Sequence, residues 1–227
     1  MRTLLSWSSG KDAAWALHKL RNQSDIEVAG LLTTVNASTD CVSMHAVREE
    51  LLECQAEAVG LPLWKIPLPW PCPNETYVAR MTEALARMKR EGIQAVAYGD
   101  LFLADIRAYR ETRHEGTGIQ AVFPLWGADT RSLASEMIGA KLQARLVCVD
   151  TTRLDAGFAG RAFDSSLVED LPPTVDPCGE NGEFHTFVWD GPMFRHPIQI
   201  RAGATTERDG FAFTDLLSSA SISQVSP

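Results

Sequence analysis

A short apolar run, a turn of small residues and a helical pattern follow one another at the start of the chain. The apolar run covers residues 3–7, the turn is Ser8-Ser9-Gly10, and Lys11 and Asp12 open the helix. A strand that turns tightly into a helix presents the free N–H groups and positive dipole end of that helix to an anion. Lys11 adds a charge suited to phosphate, and Asp12 can orient the loop or help to hold a metal ion. The sequence therefore predicts a phosphate site here, with an ordinary turn capped by a serine as the alternative.

Strand and helix patterns alternate over the first half of the chain. Buried parallel strands are typically near-continuous apolar runs, whereas helices show apolar residues at helical spacing. Strands joined through helices imply right-handed crossovers and a doubly wound α/β sheet. We therefore expect a Rossmann-like parallel sheet with flanking helices, with strands over residues 3–7, 27–33, 61–66 and 95–98 and helices over residues 13–20, 47–59 and 77–90.

The pattern changes after about residue 126. A helix over residues 133–140 and a strand over residues 144–149 are followed by a stretch rich in Gly and Pro and a β-rich segment over residues 184–189. This composition predicts a smaller α+β domain. We expect a nucleotide-binding domain over residues 1–125, a substrate domain over residues 126–217 and a flexible tail over residues 218–227.

Ligands of such sheets lie beyond the carboxyl ends of the strands. Residues 8–12, residues 33–36 and Gly99-Asp100 all follow predicted strands, so we expect them to meet at one edge. Asp12 and Asp100 are the candidate ligands for Mg²⁺ at that edge.

A second informative segment runs from Asp176 to Thr186. It places Glu180, Glu183 and His185 in a turn punctuated by Gly179 and Gly182. The carboxylates can accept hydrogen bonds from an amine or share a metal ion. The alternative is a solvated acidic turn.

Composition excludes several classes of protein. A net charge of −8 argues against non-specific binding of nucleic acid, which needs a basic face. The five cysteines are scattered and form no C-x-x-C pair, which favours reduced thiols over a disulfide framework or a zinc site. No apolar run approaches the roughly 20 residues of a membrane helix. We expect a cytoplasmic protein.

The first turn resembles the PP-loop of the N-type ATP pyrophosphatases, usually written Ser-Gly-Gly-x-Asp-Ser. Ser9 stands where the second residue is usually Gly, and Ala13 stands where the last Ser would offer a hydroxyl. The turn is not a Walker A loop, because the four residues between two glycines and the Ser/Thr after Lys are both missing.

The second segment resembles the signature Gly-Glu-x-Gly-Glu-Phe/Tyr-Glu-Thr of the diphthine–ammonia ligase family, itself a PP-loop family with a Rossmann-like sheet of the HUP type. His185 stands where that signature has Glu, and Ile106 and Tyr109 also depart from the family pattern. Further landmarks that match the family are His45, Gln55, Gly60, Gly99, Asp100, Arg107, Glu111 and Trp126.

The resemblance implies an AMP-forming ligase that uses ATP and Mg²⁺ to adenylate a carboxylate, protein-borne or small, and then amidates it with ammonia. It implies catalytic roles for Lys11, Asp12, Glu180 and Glu183, and nucleotide binding by Ser8, Ser9, Gly10, Lys11, Asp12, Gly99 and Asp100. It implies acceptor binding by His45, Arg107, Trp126, Gly182, Glu183, His185 and Thr186.

Two other functions stay open. One is a regulatory module that binds ATP or AMP without turning it over, for which Ala13 is the best support. The other is a PP-loop enzyme that modifies tRNA, which the acidic charge disfavours. The sequence leaves a homodimer open.

Some conspicuous residues are expected to be structural. We expect Trp7, Trp15, Trp64 and Trp70 to pack in the core or at the domain seam, because large aromatic side chains are mostly buried. His114 is expected on a solvated face, and the thiol of Cys178 is expected to be inert.

Overall fold

A computed structural model of the chain describes residues 1–36, 41–42 and 47–218. The described strands are β1 (Arg2–Ser6), β2 (Glu27–Asn36), β3 (Cys41–Val42), β4 (Leu63–Leu68), β5 (Ala95–Ala97), β6 (Gln120–Val122), β7 (Gln143–Asp150), β8 (Phe184–Asp190), β9 (Ile200–Arg208) and β10 (Phe211–Ser218). The helices are α1 (Lys11–Arg21), α2 (Glu49–Val59), α3 (Asn74–Arg90), α4 (Ala104–His114), α5 (Thr130–Gly139) and α6 (Ser165–Asp170), with a 3₁₀ turn over Ala156–Phe158.

The first sheet is parallel in its five main strands. Their order is β4-β2-β1-β5-β6, and β3 pairs antiparallel with the end of β2. β1 lies at the centre because both of its faces are apolar. Leu4 and Leu5 are fully buried and belong to different core clusters. The expectation of a Rossmann-like parallel sheet with flanking helices is confirmed.

The second sheet is antiparallel, in the order β8-β7-β10-β9. β9 and β10 form a hairpin through Asp209 and Gly210, whose φ values are 52° and 80°. Two successive positive φ values are typical of the tight turns that join twisted antiparallel strands. The expectation of a smaller α+β unit in the second half of the chain is confirmed, although its strands β9 and β10 were not predicted.

The larger core cluster is continuous across both sheets. It includes Leu5 of β1, Leu17 of α1, Leu146 of β7 and Phe187 of β8. Ser218 closes β10, and residues 219–227 lie outside the described part of the chain. The boundary near residue 125 stays a prediction.

Two expectations about single residues are wrong. Trp70 is 67% exposed, because it lies in the loop between β4 and α3 rather than in an element, whereas Trp7, Trp15 and Trp64 are buried as expected. His114 is only 9% exposed, because it ends α4 with its ring against Tyr98. Among the described helices, none is both long and apolar enough to cross a membrane.

Candidate functional site

The predicted phosphate turn connects the carboxyl end of β1 to the start of α1. Ser9 adopts a left-handed conformation, with φ of 69°, and its side chain is fully buried. Its carbonyl accepts hydrogen bonds from Gln55 Nε2 at 3.0 Å and from Val188 N at 3.0 Å. These two bonds orient the turn so that Ser8, Gly10, Lys11 and Asp12 line a cavity.

The loop after β5 packs directly against this turn. A Cβ atom on Gly99 would lie 2.9 Å from the carbonyl carbon of Asp12, so a glycine is needed for this close approach. Asp100 follows Gly99 and forms a bidentate ion pair with Arg110, with distances of 2.6 Å and 3.2 Å. Two of the three predicted edge segments therefore meet at one place, whereas residues 33–36, the third, form the carboxyl end of β2.

The acidic segment joins both of these loops. Thr186 Oγ1 accepts a hydrogen bond of 3.0 Å from the amide of Lys11, the first residue of α1. Glu180 Oε1 accepts a hydrogen bond of 2.7 Å from the amide of Leu101, which follows Gly99-Asp100. A segment far along the chain thus caps α1 and fixes the loop after β5.

These three segments enclose a cavity of about 250 Å³ at the carboxyl edge of the parallel sheet. The first turn of α1 faces it, and the amides of such a turn lack acceptors within the helix. Its lining consists of Ser6, Ser8, Gly10, Lys11, Asp12, Ala13, Tyr98, Gly99, Asp100, Arg110, Gly179, Glu180, Gly182, Phe184, His185 and Thr186.

Lys11 is the main cation of this cavity, and it is 2% exposed. Its ammonium group bonds Asp12 Oδ2 at 2.8 Å and the carbonyl of Cys178, and it lies 5.4 Å from the ring centre of Phe184. Burial acts to lower the pKa of Lys11, but the charge and hydrogen bond of Asp12, together with the nearby Cys178 and Glu180, outweigh it and the pKa is raised. Lys11 therefore keeps its charge at the floor of the cavity.

Glu180 and His185 both titrate far from their ordinary ranges. Burial, followed by the nearby charges of Asp12 and Asp100, raises the pKa of Glu180 to about 7, although the Leu101 amide opposes the rise. Burial and the charge of Lys11 lower the pKa of His185 to about 4. Near neutral pH the cavity therefore holds a carboxyl group that can exchange a proton and an uncharged imidazole. Burial also raises the pKa of the Cys178 thiol to about 12, as expected for an inert thiol.

A second, larger cavity of about 490 Å³ adjoins the first and shares Ser6, Ser8, Tyr98 and Arg110 with it. It lies between the sheet and helices α3 and α4. Aromatic and aliphatic side chains dominate its lining, notably Trp7, Leu32, Ile66, Tyr77, Met81, Leu85, Met88 and Tyr109. Such a cavity suits a flat, mostly apolar group.

Four of the predicted site residues line neither cavity, namely Ser9, Glu183, Arg107 and Trp126. Glu183 is 2% exposed and outside both linings, and its Oε1 accepts from the amide of Asp176 at 3.1 Å. Arg107 lies 4.7 Å from the ring centre of Trp126 and bonds Glu111, and neither Arg107 nor Trp126 lines the two cavities. His45 lies outside the described residues.

Gln55 and Tyr98 have clear positions but were not predicted as site residues, and for Arg110 the sequence indicated only that it could reach a phosphate. Gln55 is fully buried and bonds the Trp7 indole at 2.8 Å as well as the Ser9 carbonyl. Tyr98 and Arg110 separate the two cavities. The sequence signal for Arg110 is its place three residues after Arg107, which puts it on a neighbouring face of the same helix.

Asp12 and Asp100, the two predicted metal ligands, differ in whether their carboxylate oxygens are available to a metal ion. Within the described part of the chain, no group of three or more His, Cys, Asp or Glu side chains is arranged to hold a metal. Asp12 Oδ1 is buried and has no partner among the described residues, which suits a cation. Both oxygens of Asp100 already bond Arg110. Asp12 therefore has one oxygen available to a cation such as Mg²⁺, while its other oxygen pairs with Lys11, and Asp100 would first have to leave its arginine.

Comparison with known proteins gives a consistent result along the chain. A family described as "Diphthamide synthase N-terminal domain" matches residues 1–120, and one described as "Diphthamide synthase C-terminal domain" matches residues 129–216. A protein of Danio rerio named diphthine–ammonia ligase is 28% identical over 94% of this chain and 91% of its own length. A protein of that name from Bos taurus is 25% identical over 94% of the chain and 88% of its own length.

The match to fungal proteins of the same name covers less of those proteins. The Saccharomyces cerevisiae protein is 23% identical over 86% of this chain, but over only 34% of its own length. The chain therefore spans about a third of the length of that fungal relative.

Proposed function

Because the chain belongs to the diphthamide synthase family, we propose that it is an ATP-dependent, AMP-forming ligase that converts a carboxylate into an amide with ammonia. The relatives named diphthine–ammonia ligase support a diphthine-type carboxylate as the class of acceptor. The scattered cysteines, which form no C-x-x-C pair, support a reducing, cytoplasmic location for this reaction.

One observation carries the proposal. The phosphate turn and the acidic segment are separated by some 170 positions in the sequence, yet the Thr186 hydroxyl bonds the Lys11 amide and both segments line one cavity. A ligase of this type must hold the phosphates of ATP beside an acceptor carboxylate. The shared cavity supplies that arrangement.

We place ATP across the two adjoining cavities. The smaller cavity offers the first turn of α1 and Lys11, which suit phosphates. The larger cavity is apolar and aromatic, which suits the adenine ring. The nucleotide would then lie across Tyr98 and Arg110, where the cavities join.

The first chemical step is attack of an acceptor carboxylate oxygen on the α-phosphorus of ATP. The bond between the α-phosphorus and the leaving pyrophosphate oxygen breaks, and an acyl adenylate forms. The positive end of α1 and the buried Lys11 stabilise the negative charge that grows on the pyrophosphate. Mg²⁺ held by Asp12 would supply further charge neutralisation at these phosphates.

The second step is attack of ammonia on the acyl carbon, with AMP as the leaving group. The attacking nitrogen must lose a proton, and a base with a pKa near the operating pH serves this best. Glu180 lines the cavity, and its pKa is about 7. Glu180 is therefore the base we propose, rather than His185, whose pKa of about 4 makes it a weak base.

A second candidate function is a module that binds ATP or AMP without turning it over. Ala13 favours it, because the first turn of α1 lacks the hydroxyl that the PP-loop pattern has there. The two functions differ in whether pyrophosphate is released.

The test of catalysis is to incubate the protein with ATP, Mg²⁺ and ammonium, with and without cell extract, and to measure AMP and pyrophosphate. A ligase produces both only when the extract supplies an acceptor. Tight binding of ATP without acceptor-dependent pyrophosphate in extracts from several sources would favour the regulatory module instead.

The test of the phosphate site compares two lysines of α1. Lys11→Ala should weaken ATP binding far more than adenosine binding, because adenosine lacks the phosphates. Lys19→Ala is the matched control, since Lys19 is half-exposed and pairs with Glu136. Equal losses of ATP and adenosine affinity for Lys11→Ala would show that the turn is not a phosphate site.

A further inference from the structure

Arg110 of α4 occupies the junction of the two cavities. It lines both of them, whereas Arg113 on the next turn lines only the larger one. Arg107, the arginine that matches the family pattern, lies against Phe123 and Trp126 and lines neither. Of these three arginines of α4, Arg110 is therefore the one that can touch a ligand spanning both cavities.

The guanidinium of Arg110 is held in one orientation. Its Nε bonds Asp100 Oδ2 at 2.6 Å and its Nη2 bonds Asp100 Oδ1 at 3.2 Å. Its plane lies over Tyr98, with the central carbon 4.3 Å from the ring centre. Tyr98 is itself fixed by a hydrogen bond of 2.8 Å between its hydroxyl and His114 Nε2.

This orientation leaves part of the guanidinium available. The bidentate bond to Asp100 uses Nε and Nη2, and Nη1 makes no hydrogen bond with any residue that the structure describes. A guanidinium carries five N–H donors, so a planar pair to one carboxylate still leaves donors for a second anion. Arg110 lines both cavities, so these donors belong to a residue at the junction.

We propose that Arg110 binds the α-phosphate of ATP. This rests on the proposed function, because it requires adenine in the larger cavity and the terminal phosphates at the start of α1. The α-phosphate joins those two parts of the nucleotide and must then lie at the junction. It is also the phosphate that the acceptor attacks, so Arg110 would neutralise charge at the reacting centre and would hold AMP after pyrophosphate has left.

Asp100 is then a positioning residue rather than a ligand of the nucleotide. Its carboxylate fixes the guanidinium, but its negative charge opposes an approaching phosphate. Removal of the Asp100 charge and removal of the Arg110 charge should consequently have opposite effects on the binding of a bare phosphate. If the pair were purely structural, both substitutions would change phosphate binding in the same direction.

The experiment is calorimetric titration of the full chain with adenosine, AMP and ATP in the absence of Mg²⁺. For Arg110→Gln we expect AMP and ATP affinities to fall by about 10- to 100-fold, the usual effect of one charge-assisted contact, while adenosine affinity stays within about 2-fold. Arg110→Lys should recover part of the AMP affinity. Asp100→Asn should leave AMP affinity unchanged or raise it. Arg80→Gln, at an exposed arginine of α3 paired with Glu83, is the matched control.

Each result decides the matter. The assignment of Arg110 is overturned if Arg110→Gln leaves AMP affinity unchanged, or if it lowers adenosine and AMP affinity equally. It is also overturned if Asp100→Asn lowers AMP affinity as much as Arg110→Gln does. If Arg110→Gln does not fold, the comparison of adenosine with AMP in Arg110→Lys decides in its place. If the unaltered chain binds none of the three ligands, the proposed function fails, and the Arg110 assignment fails with it.

Discussion

Ser9 has a strained backbone conformation beside the candidate site. Its φ of 69° lies in the left-handed region, and its buried hydroxyl has no partner among the described residues. A side chain in that region costs roughly 1–2 kcal/mol, whereas glycine adopts it freely. The PP-loop pattern has a glycine where this chain has Ser9. The positive φ at this position explains why the pattern prefers glycine there.

Ser9→Gly should therefore stabilise the protein. Glycine lowers stability by roughly 0.5–1 kcal/mol, because it raises the entropy of the unfolded chain. Relief of the backbone strain and removal of the unpaired hydroxyl outweigh this loss. We expect a net gain of about 1 kcal/mol, or a rise in Tm of about 2–4 °C, measured by thermal unfolding. Ser8→Gly is the control, because Ser8 is not among the residues with positive φ, and it should give no gain. A lower Tm for Ser9→Gly would show that the left-handed conformation of Ser9 does not destabilise the protein.

Glu180 should make stability depend on pH in a defined direction. Its pKa in the folded protein is about 7, above its ordinary value of 4.5, so folding favours the protonated carboxyl. That contribution is complete below about pH 4.5 and is lost as the pH rises through about 7. Urea unfolding of the native chain and of Glu180→Gln should therefore diverge, with the native chain losing stability relative to the variant from about pH 5 to about pH 8. Parallel curves would mean that Glu180 titrates normally.

Glu180 and Glu183 also mark the limit of what sequence predicts at this scale. Both lie in the same glycine-rich turn, and both were predicted to be catalytic. The amide of Leu101 draws Glu180 toward the cavity, whereas the amide of Asp176 and the side chain of Asn181 bind Glu183 on the inside of the turn. Which carboxylate lines the cavity depends on a residue 79 positions away in the chain, which local spacing does not reveal.

At the scale of elements, periodicity predicted most of the strands and helices that bury an apolar face, but it missed β10, in which every second residue is buried. β1, β2, β4 and β5 carry near-continuous apolar runs, and their existence and type were confirmed. α4 and β9 were missed because their burial pattern carries no such signal. His114 is the buried residue of α4, and eight of the nine residues of β9 are exposed. Helices and strands that are mostly exposed to solvent have few buried apolar residues, so their sequences show little apolar periodicity.

The contact between the loop after β5 and the first turn of α1 should be intolerant of any side chain at Gly99. A Cβ there would lie 2.9 Å from the Asp12 carbonyl carbon and 3.0 Å from the Ala13 amide nitrogen, and backbone atoms cannot move away cheaply. We expect Gly99→Ala to cost about 1–3 kcal/mol of stability by urea unfolding. It should also weaken ATP binding, because α1 must shift at its phosphate-binding end.

Gly139→Ala is the matched control for Gly99→Ala. Gly139 lies in the last turn of α5, its φ is not positive, and a Cβ there would meet nothing within 4 Å. Alanine at that position should be neutral or slightly stabilising. Similar stabilities for the two variants would show that the loop yields and that the close approach is not required.

At the scale of the whole molecule, the two sheets depend on each other. Gln55 of α2 bonds the Trp7 indole after β1 at 2.8 Å and the carbonyl of Val188 in β8 at 2.7 Å. Thr186 of β8 caps α1, and the larger apolar cluster runs from β1 to β7 and β8 without a break. The change of composition near residue 126 reflects a change from parallel to antiparallel sheet. It predicts a smaller α+β unit, but it does not reveal the antiparallel sheet or how much of the core is shared.

The shared core leads to a prediction about residues 1–125, the segment expected from sequence to be a separate domain. Without β7 and β8, this fragment exposes Leu5, Leu17 and Trp7 to water and leaves the polar side chain of Gln55 without its partner in β8. Burial of apolar area is the main term that offsets chain entropy, so the fragment should not fold cooperatively. Far-UV circular dichroism and tryptophan fluorescence should give one coincident thermal transition for the full chain and none for the fragment. A fragment that unfolds cooperatively and binds ATP like the full chain would instead establish two independent domains, with the phosphate turn stable without its cap from Thr186.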